Sequence, residues 1–124
     1  MAISQEQKNF TSHVVEMLQG VGPVYSKRMF GGFGIFLDGM MFGLVADSTL
    51  YIKVDDANRD EFLAEGLQPF TYDKQGKLMQ LSYYQAPEEA LENLEVMTNW
   101  GNSGFGAALR AASKGKSRKS DKVG

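Results

Sequence analysis

The pair Asp38-Gly39, set between the apolar runs Phe33–Leu37 and Met40–Ala46, constrains this chain more than any other feature. A two-residue connection between strands needs a left-handed backbone at both central positions, and Asp-Gly supplies it at low cost. Such a turn pairs Leu37 with Met40, Ile35 with Phe42 and Phe33 with Leu44, and places all six on one face of the sheet. Phe36 and Met41 then lie on the other face. If Asp47-Ser48 is a second two-residue turn into Thr49–Val54, then Val45, Leu50, Ile52 and Val54 join Phe36 and Met41. Both faces are therefore apolar, yet in a two-layer domain helices cover only one. The excess predicts a partner or homodimer surface, which this register assigns to Phe33, Ile35, Met40 and Phe42.

The flanking segments complete an α+β pattern. Residues 4–19 read as a helix: Ser4 and Gln7 form a capping box, Phe10, Val14, Met17 and Leu18 recur at helical spacing, and Gly20 and Pro23 end it. Val24–Phe30 is a strand candidate, with Gly31-Gly32 allowing a bend, so the meander has three or four strands. Asp55–Glu65 reads as a short helix with Asp55 at its N-cap and Gly66 beyond its end. A second hairpin follows, from Phe70–Tyr72 through the turn at 73–76 to Lys77–Tyr84. Pro87 suits the first position of a last helical region, with Asn93 capping a further segment. The stripe Leu94, Met97, Gly101, Phe105 (or Gly104), Ala108 and Ala112 continues it. Glycines at 101, 104 and 106 each weaken a helix by about 1 kcal/mol relative to alanine, so a bend or interruption after Trp100 is expected.

Length and charge set the organisation. At 124 residues the chain is expected to be a single domain, residues 1–112, followed by a basic and disordered tail, residues 113–124. The tail holds Lys114, Lys116, Arg118, Lys119 and Lys122 against Asp121, a net of +4. The overall charge of −2 thus leaves −6 on the body. A nucleic-acid-binding fold should carry basic charge on a folded face, so nucleic-acid contact, the alternative function, would rest on those five tail residues alone. The N-terminal residues lack a basic start, an apolar run and a cleavage site, and no apolar stretch approaches the ~20 residues of a spanning helix. A cytoplasmic protein is expected, without membrane contact.

The same residues argue against catalysis. The chain has no cysteine and one histidine, His13, which removes thiolate nucleophiles, cysteine metal sites and most imidazole chemistry. Gly31-Gly32-Phe33-Gly34 leads into a hairpin, whereas a phosphate-binding fingerprint leads into a helix. Gly101-Asn102-Ser103-Gly104 matches the GXXG of a nucleic-acid-clamping loop but has no basic residue and no following sheet. Ser103 is not a nucleophile elbow, since Phe105 stands where glycine is needed. Asp56, Asp60, Glu61 and Glu65 fit a solvated helix face better than a metal or acid–base site. No catalytic residue, metal ligand or cofactor is expected. A small-molecule pocket near Gly31–Gly34 is the remaining alternative.

An ordered set of segments adds to this reading: Lys27-Arg28-Met29-Phe30-Gly31-Gly32-Phe33-Gly34-Ile35-Phe36, then Asp38-Gly39-Met40-Met41-Phe42-Gly43-Leu44-Val45 and Leu50-Tyr51-Ile52-Lys53-Val54. With Gly66 to Tyr72, Ser82-Tyr83-Tyr84 and Ala86 to Leu91, it resembles the N-terminal domain of the TfoX/Sxy family of bacterial competence regulators, over residues 8–112. The resemblance implies a two-layer fold of order α-β3-α-β2-α. It also implies a transcriptional co-regulator acting by protein contact, with the cyclic-AMP receptor protein or RNA polymerase as partner. It carries over no catalytic or metal-binding residue. Family members with the full competence role have a second, C-terminal domain, and Trp100 to Gly106 is richer in glycine here than is usual in the family.

Overall fold

The computed structural model describes residues 3–29 and 31–123, with side chains described through residue 114. Ser4 accepts a hydrogen bond from the Gln7 amide and starts α1 (Gln5–Met17), which passes into a 3₁₀ turn over Leu18–Gly20. Four strands follow: β1 (Tyr25–Met29), β2 (Gly32–Leu37), β3 (Met40–Ala46) and β4 (Thr49–Lys53). Next come α2 (Arg59–Ala64), β5 (Pro69–Lys74), β6 (Lys77–Gln85), a 3₁₀ turn over Glu88–Leu91, and α3 (Leu94–Val123). The strands form one antiparallel sheet in the order β1-β2-β3-β4-β6-β5. The α+β class is as expected; the meander before α2 has four strands, one more than the family order implies.

Three two-residue turns shape the sheet. Asp38-Gly39, Asp47-Ser48 and Gln75-Gly76 have positive φ at both central positions, the geometry that suits the right-handed twist of paired strands. Asp47-Ser48 reaches it without glycine. Its Ser48 amide donates to Gln7 Oε1 at 2.7 Å, while Gln7 Nε2 donates to the Gly31 carbonyl at 3.1 Å. A buried glutamine on α1 thus ties two loops at one end of the sheet. Its side chain does not complete the expected capping box.

The first hairpin starts in the expected register, Leu37 opposite Met40 and Phe36 opposite Met41, and then shifts by one. Ile35 pairs with Gly43 instead of Phe42, Gly34 with Leu44, and Phe33 with Val45. Phe42 and Gly43 together face Ile35 in a β-bulge, both on the core side. The bulge is accommodated because its second residue has no side chain: a Cβ on Gly43 would lie 3.0 Å from that of Ile35. Beyond it, alternation is inverted. Val45, Leu50, Ile52 and Val54 share the core with Phe33, Ile35, Leu37 and Phe42, and Leu44 turns to the opposite face.

The apolar excess on two faces therefore resolves largely into one core, covered by α1 and α3. The expected partner surface is corrected accordingly. Ile35 is 0%, Phe42 1% and Phe33 9% exposed, and Met40 packs, partly buried, against the same cluster. Burial of each of the larger side chains stabilises the fold by roughly 1.5–3 kcal/mol, so Phe33, Ile35 and Phe42 hold the domain together and offer no contact surface, and Met40 offers only part of its side chain.

The interruption expected after Trp100 is also corrected, since α3 runs unbroken past it. A Cβ at Gly104 would run into the Ile52 side chain and lie 3.2 Å from the Phe42 carbonyl oxygen, and one at Gly101 would press on Leu18 and Val21. Loss of helix propensity at these glycines is offset by close approach of α3 to β3 and β4. Phe105, one turn along, meets Phe42 edge-to-face at 5.6 Å. The expected disordered tail, residues 113–124, falls mostly on positions whose side chains lie outside the described residues.

Candidate functional site

With α1 and α3 on one side, the other side of the sheet is bare among the described residues. Strand alternation places Lys27, Met29, Phe36, Met41, Leu44, Tyr51, Lys53, Phe70, Tyr72, Met79, Leu81 and Tyr83 there. Met29 of β1 and Phe70 and Tyr72 of β5 stand on opposite edge strands, yet they line one cleft with Met41, Leu44 and Leu81. The sheet is curved enough to bring its two margins around a shared hollow of about 340 Å³. No charged side chain lines it.

The hollow's shape follows from small local choices. Gly34 sits between Met29 and Met41, where a Cβ would fall 2.6 Å from Met29 Sδ and 3.2 Å from Met41 Sδ, so glycine keeps the floor open. Gly32, also lining the cleft, lies so close to the Val45 carbonyl that no side chain fits. Tyr51 meets Phe70 edge-to-face at 5.0 Å, and Phe70 stacks on Tyr72 at 6.3 Å, forming an aromatic wall. Tyr83 reaches across β4 to donate to the Met41 carbonyl at 3.5 Å. Burial pushes the Tyr83 phenol up to about 12. Tyr51 is also raised, by burial first and by the Asp47 charge second.

Two lysines border the aromatic groups. Lys27 Nζ stands 5.2 Å from the Phe36 ring centroid and 5.9 Å from Tyr25, and those two rings stack at 5.7 Å. Lys53 Nζ stands 5.2 Å from Tyr83. Such cation–π contacts are worth ~0.5–1 kcal/mol at exposed sites.

The other residues singled out in the sequence lie elsewhere. Lys114 is exposed and borders a polar recess beside α2, where Arg110 is already held by Asp55 at 2.6 Å and Arg59 by Asp56 at 2.5 Å. The Arg110 hydrogen bond is the main cause that holds the Asp55 carboxyl below its usual range. The side chains of Lys116, Arg118, Lys119 and Lys122 lie outside the described residues. His13 Nε2 lies 2.8 Å from the Leu91 carbonyl and joins α1 to the loop before α3. Ser103 donates to Glu61 and accepts from the buried Asn58, a structural link between α3 and α2. The GXXG motif is an internal turn of α3 packed on the sheet.

Sequence reasoning placed the bare surface on the wrong side of the sheet. Met41 and Phe36 were legible as facing away from Ile35. The membership of Leu44, and the closing of β5 onto β1, depend on the bulge and on curvature.

These features define a two-layer α+β domain with helices on one face of an antiparallel sheet and a bare apolar hollow on the other. The chain belongs to the TfoX N-terminal domain family, whose sequence model matches residues 16–108. It is similar to Protein Sxy of Escherichia coli (strain K12), with 24% identity over 103 residues, 83% of this chain and 49% of that protein. The chain thus spans about half the length of the curated relative it matches. Among the described residues, no helix is long and apolar enough to cross a membrane.

Proposed function

We propose that this chain acts as a non-enzymatic interaction domain of the competence-regulator type, a transcriptional co-regulator that works by protein contact through the concave side of its sheet. The observation that carries this reading is the apolar hollow between Met29, Met41, Leu44, Phe70, Tyr72 and Leu81, left uncovered by any helix of the domain. Apolar patches of this kind on a small domain mark contact sites. Methionines suit such a role because their unbranched, polarizable side chains adapt to a partner. The partners that family membership brings forward are the cyclic-AMP receptor protein and RNA polymerase.

The test is retention of each purified partner on the immobilised chain at micromolar concentration. The expected result is retention by the native chain and its loss in Met41→Glu, with the fold of the variant checked by circular dichroism. No complex with either partner, or equal retention by folded Met41→Glu, would refute the reading.

A further inference from the structure

Charge is sorted between the two sides of the domain. The acids concentrate on the helices and the loops that lead into them. On the concave side, strand alternation places Lys27, Lys53, Lys74 and Lys77, while no strand position there carries an acid. Lys53 also borders the recess that Asp55 and Asp56 line, where those two carboxylates are already held by Arg110 and Arg59. Among the described residues the ion pairs are Arg59–Asp56 and Arg110–Asp55, so no carboxylate in the domain holds any of the four lysines. A body of net −6 has thus placed four lysines, without an ion pair among the described residues, on the same face as its apolar hollow.

We infer that the concave face selects an acidic amphipathic protein segment, with apolar side chains seated in the Met29–Met41–Phe70 hollow and carboxylates meeting the surrounding lysines. This rests on the reading of the face as a protein-contact surface and adds the chemistry of what it contacts. The hollow, about 340 Å³ and without a charged wall, has room for one or two bulky apolar side chains. The lysines then act as a rim that orients the segment and rejects basic ones, the usual role of interfacial charge.

A single-stranded nucleic acid fits less well, although aromatic residues and lysines on a sheet are its usual platform. Here several of the rings are already engaged with one another or with a lysine. Tyr25 stacks on Phe36 with Lys27 beside both, Phe70 stacks on Tyr72, and Tyr83 is buried with Lys53 over it. The hollow at the centre of the face is lined by thioethers, leucines and the Phe70–Tyr72 pair, with no charged side chain to hydrogen-bond a base. The surrounding acidic body also repels a long polyanion.

The test uses three fluorescent probes on the full chain. These are a designed amphipathic peptide with leucines at helical spacing and glutamates elsewhere, the same peptide with lysines for glutamates, and an oligothymidine of similar length. The acidic peptide should bind at least tenfold tighter than the basic one and than the oligonucleotide. It should weaken about tenfold in Lys27→Glu/Lys53→Glu, whose thermal unfolding confirms the fold. Equal binding of both peptides, still lost in Met41→Glu, would overturn the charge selection while leaving the face a protein-contact surface. Tighter binding of the oligonucleotide, or no binding of either peptide, would overturn the inference. Failure of the purified partners to be retained would, separately, overturn the reading beneath it.

Discussion

Neighbouring residues on β3 should answer to truncation in opposite ways. Phe42 is 1% exposed and lies under α3, edge-to-face with Phe105 at 5.6 Å; Met41 is half-buried on the bare face. Phe42→Ala removes a fully buried aromatic and leaves a cavity that α3 cannot close, because α3 already approaches β3 through Gly104. The expected cost is about 3–5 kcal/mol, a large part of the 5–15 kcal/mol typical of a domain. At roughly 4 °C per kcal/mol for a chain of this size, the melting temperature should fall by about 12–20 °C. Met41→Ala empties space that already opens to solvent, so its cost should stay near 1 kcal/mol or below. Urea unfolding followed by far-ultraviolet circular dichroism gives both numbers at a common slope. Equal costs, or a larger one for Met41→Ala, would mean that the helices cover the Met41 face, and the assignment of the two faces would be wrong.

Other perturbations read separate parts of the fold. Gly104→Ala should destabilise by ~1–3 kcal/mol despite its gain in helix propensity, because the new methyl meets Ile52 and backbone; chemical denaturation reads the sign. The Asp55 carboxyl is held below its ordinary 3.8 by Arg110, so its contribution is present above that pH and is lost as pH falls through the lowered value. Acid unfolding of Asp55→Asn should therefore show a shallower dependence on pH below about 4 than the native chain. Tyr83 is shifted the other way, from 10.0 to about 12, so the folded state favours its neutral phenol. That contribution is complete below pH 10 and is lost as pH rises toward 12. Spectrophotometric titration should show a tyrosine component ionising near pH 12, and Tyr83→Phe should remove that component.

Much of this fold was legible in local chemistry. Ser4, Asn93 and Gly66 mark element ends where they were expected, and Asp38-Gly39 and Asp47-Ser48 are both two-residue turns. The bulge was not legible, since Phe42-Gly43 reads equally well as regular strand, and a single extra residue exchanges Leu44 and Val45 between faces. This one shift turned an apparent surface at Phe33, Ile35 and Phe42 into the core. Gly101 and Gly104 misled for a related reason: propensity is local, whereas the contact that offsets its loss lies on β3 and β4. The candidate site itself depends on the curvature that brings β5 toward β1, strands separated by the whole width of the sheet and by 39 residues of chain between Met29 and Pro69. The methionines and aromatics were visible singly, and only their convergence was hidden.

The concave face, and not the helical one, should meet the partner. Methyl-labelled methionine gives the most direct reading, because Met29, Met41 and Met79 report from that face and Met97 from beneath α3. On titration with the retained protein partner, the first three methyl resonances should shift or broaden and Met97 should stay fixed. Perturbation of Met97 with Met29, Met41 and Met79 unmoved would contradict the account.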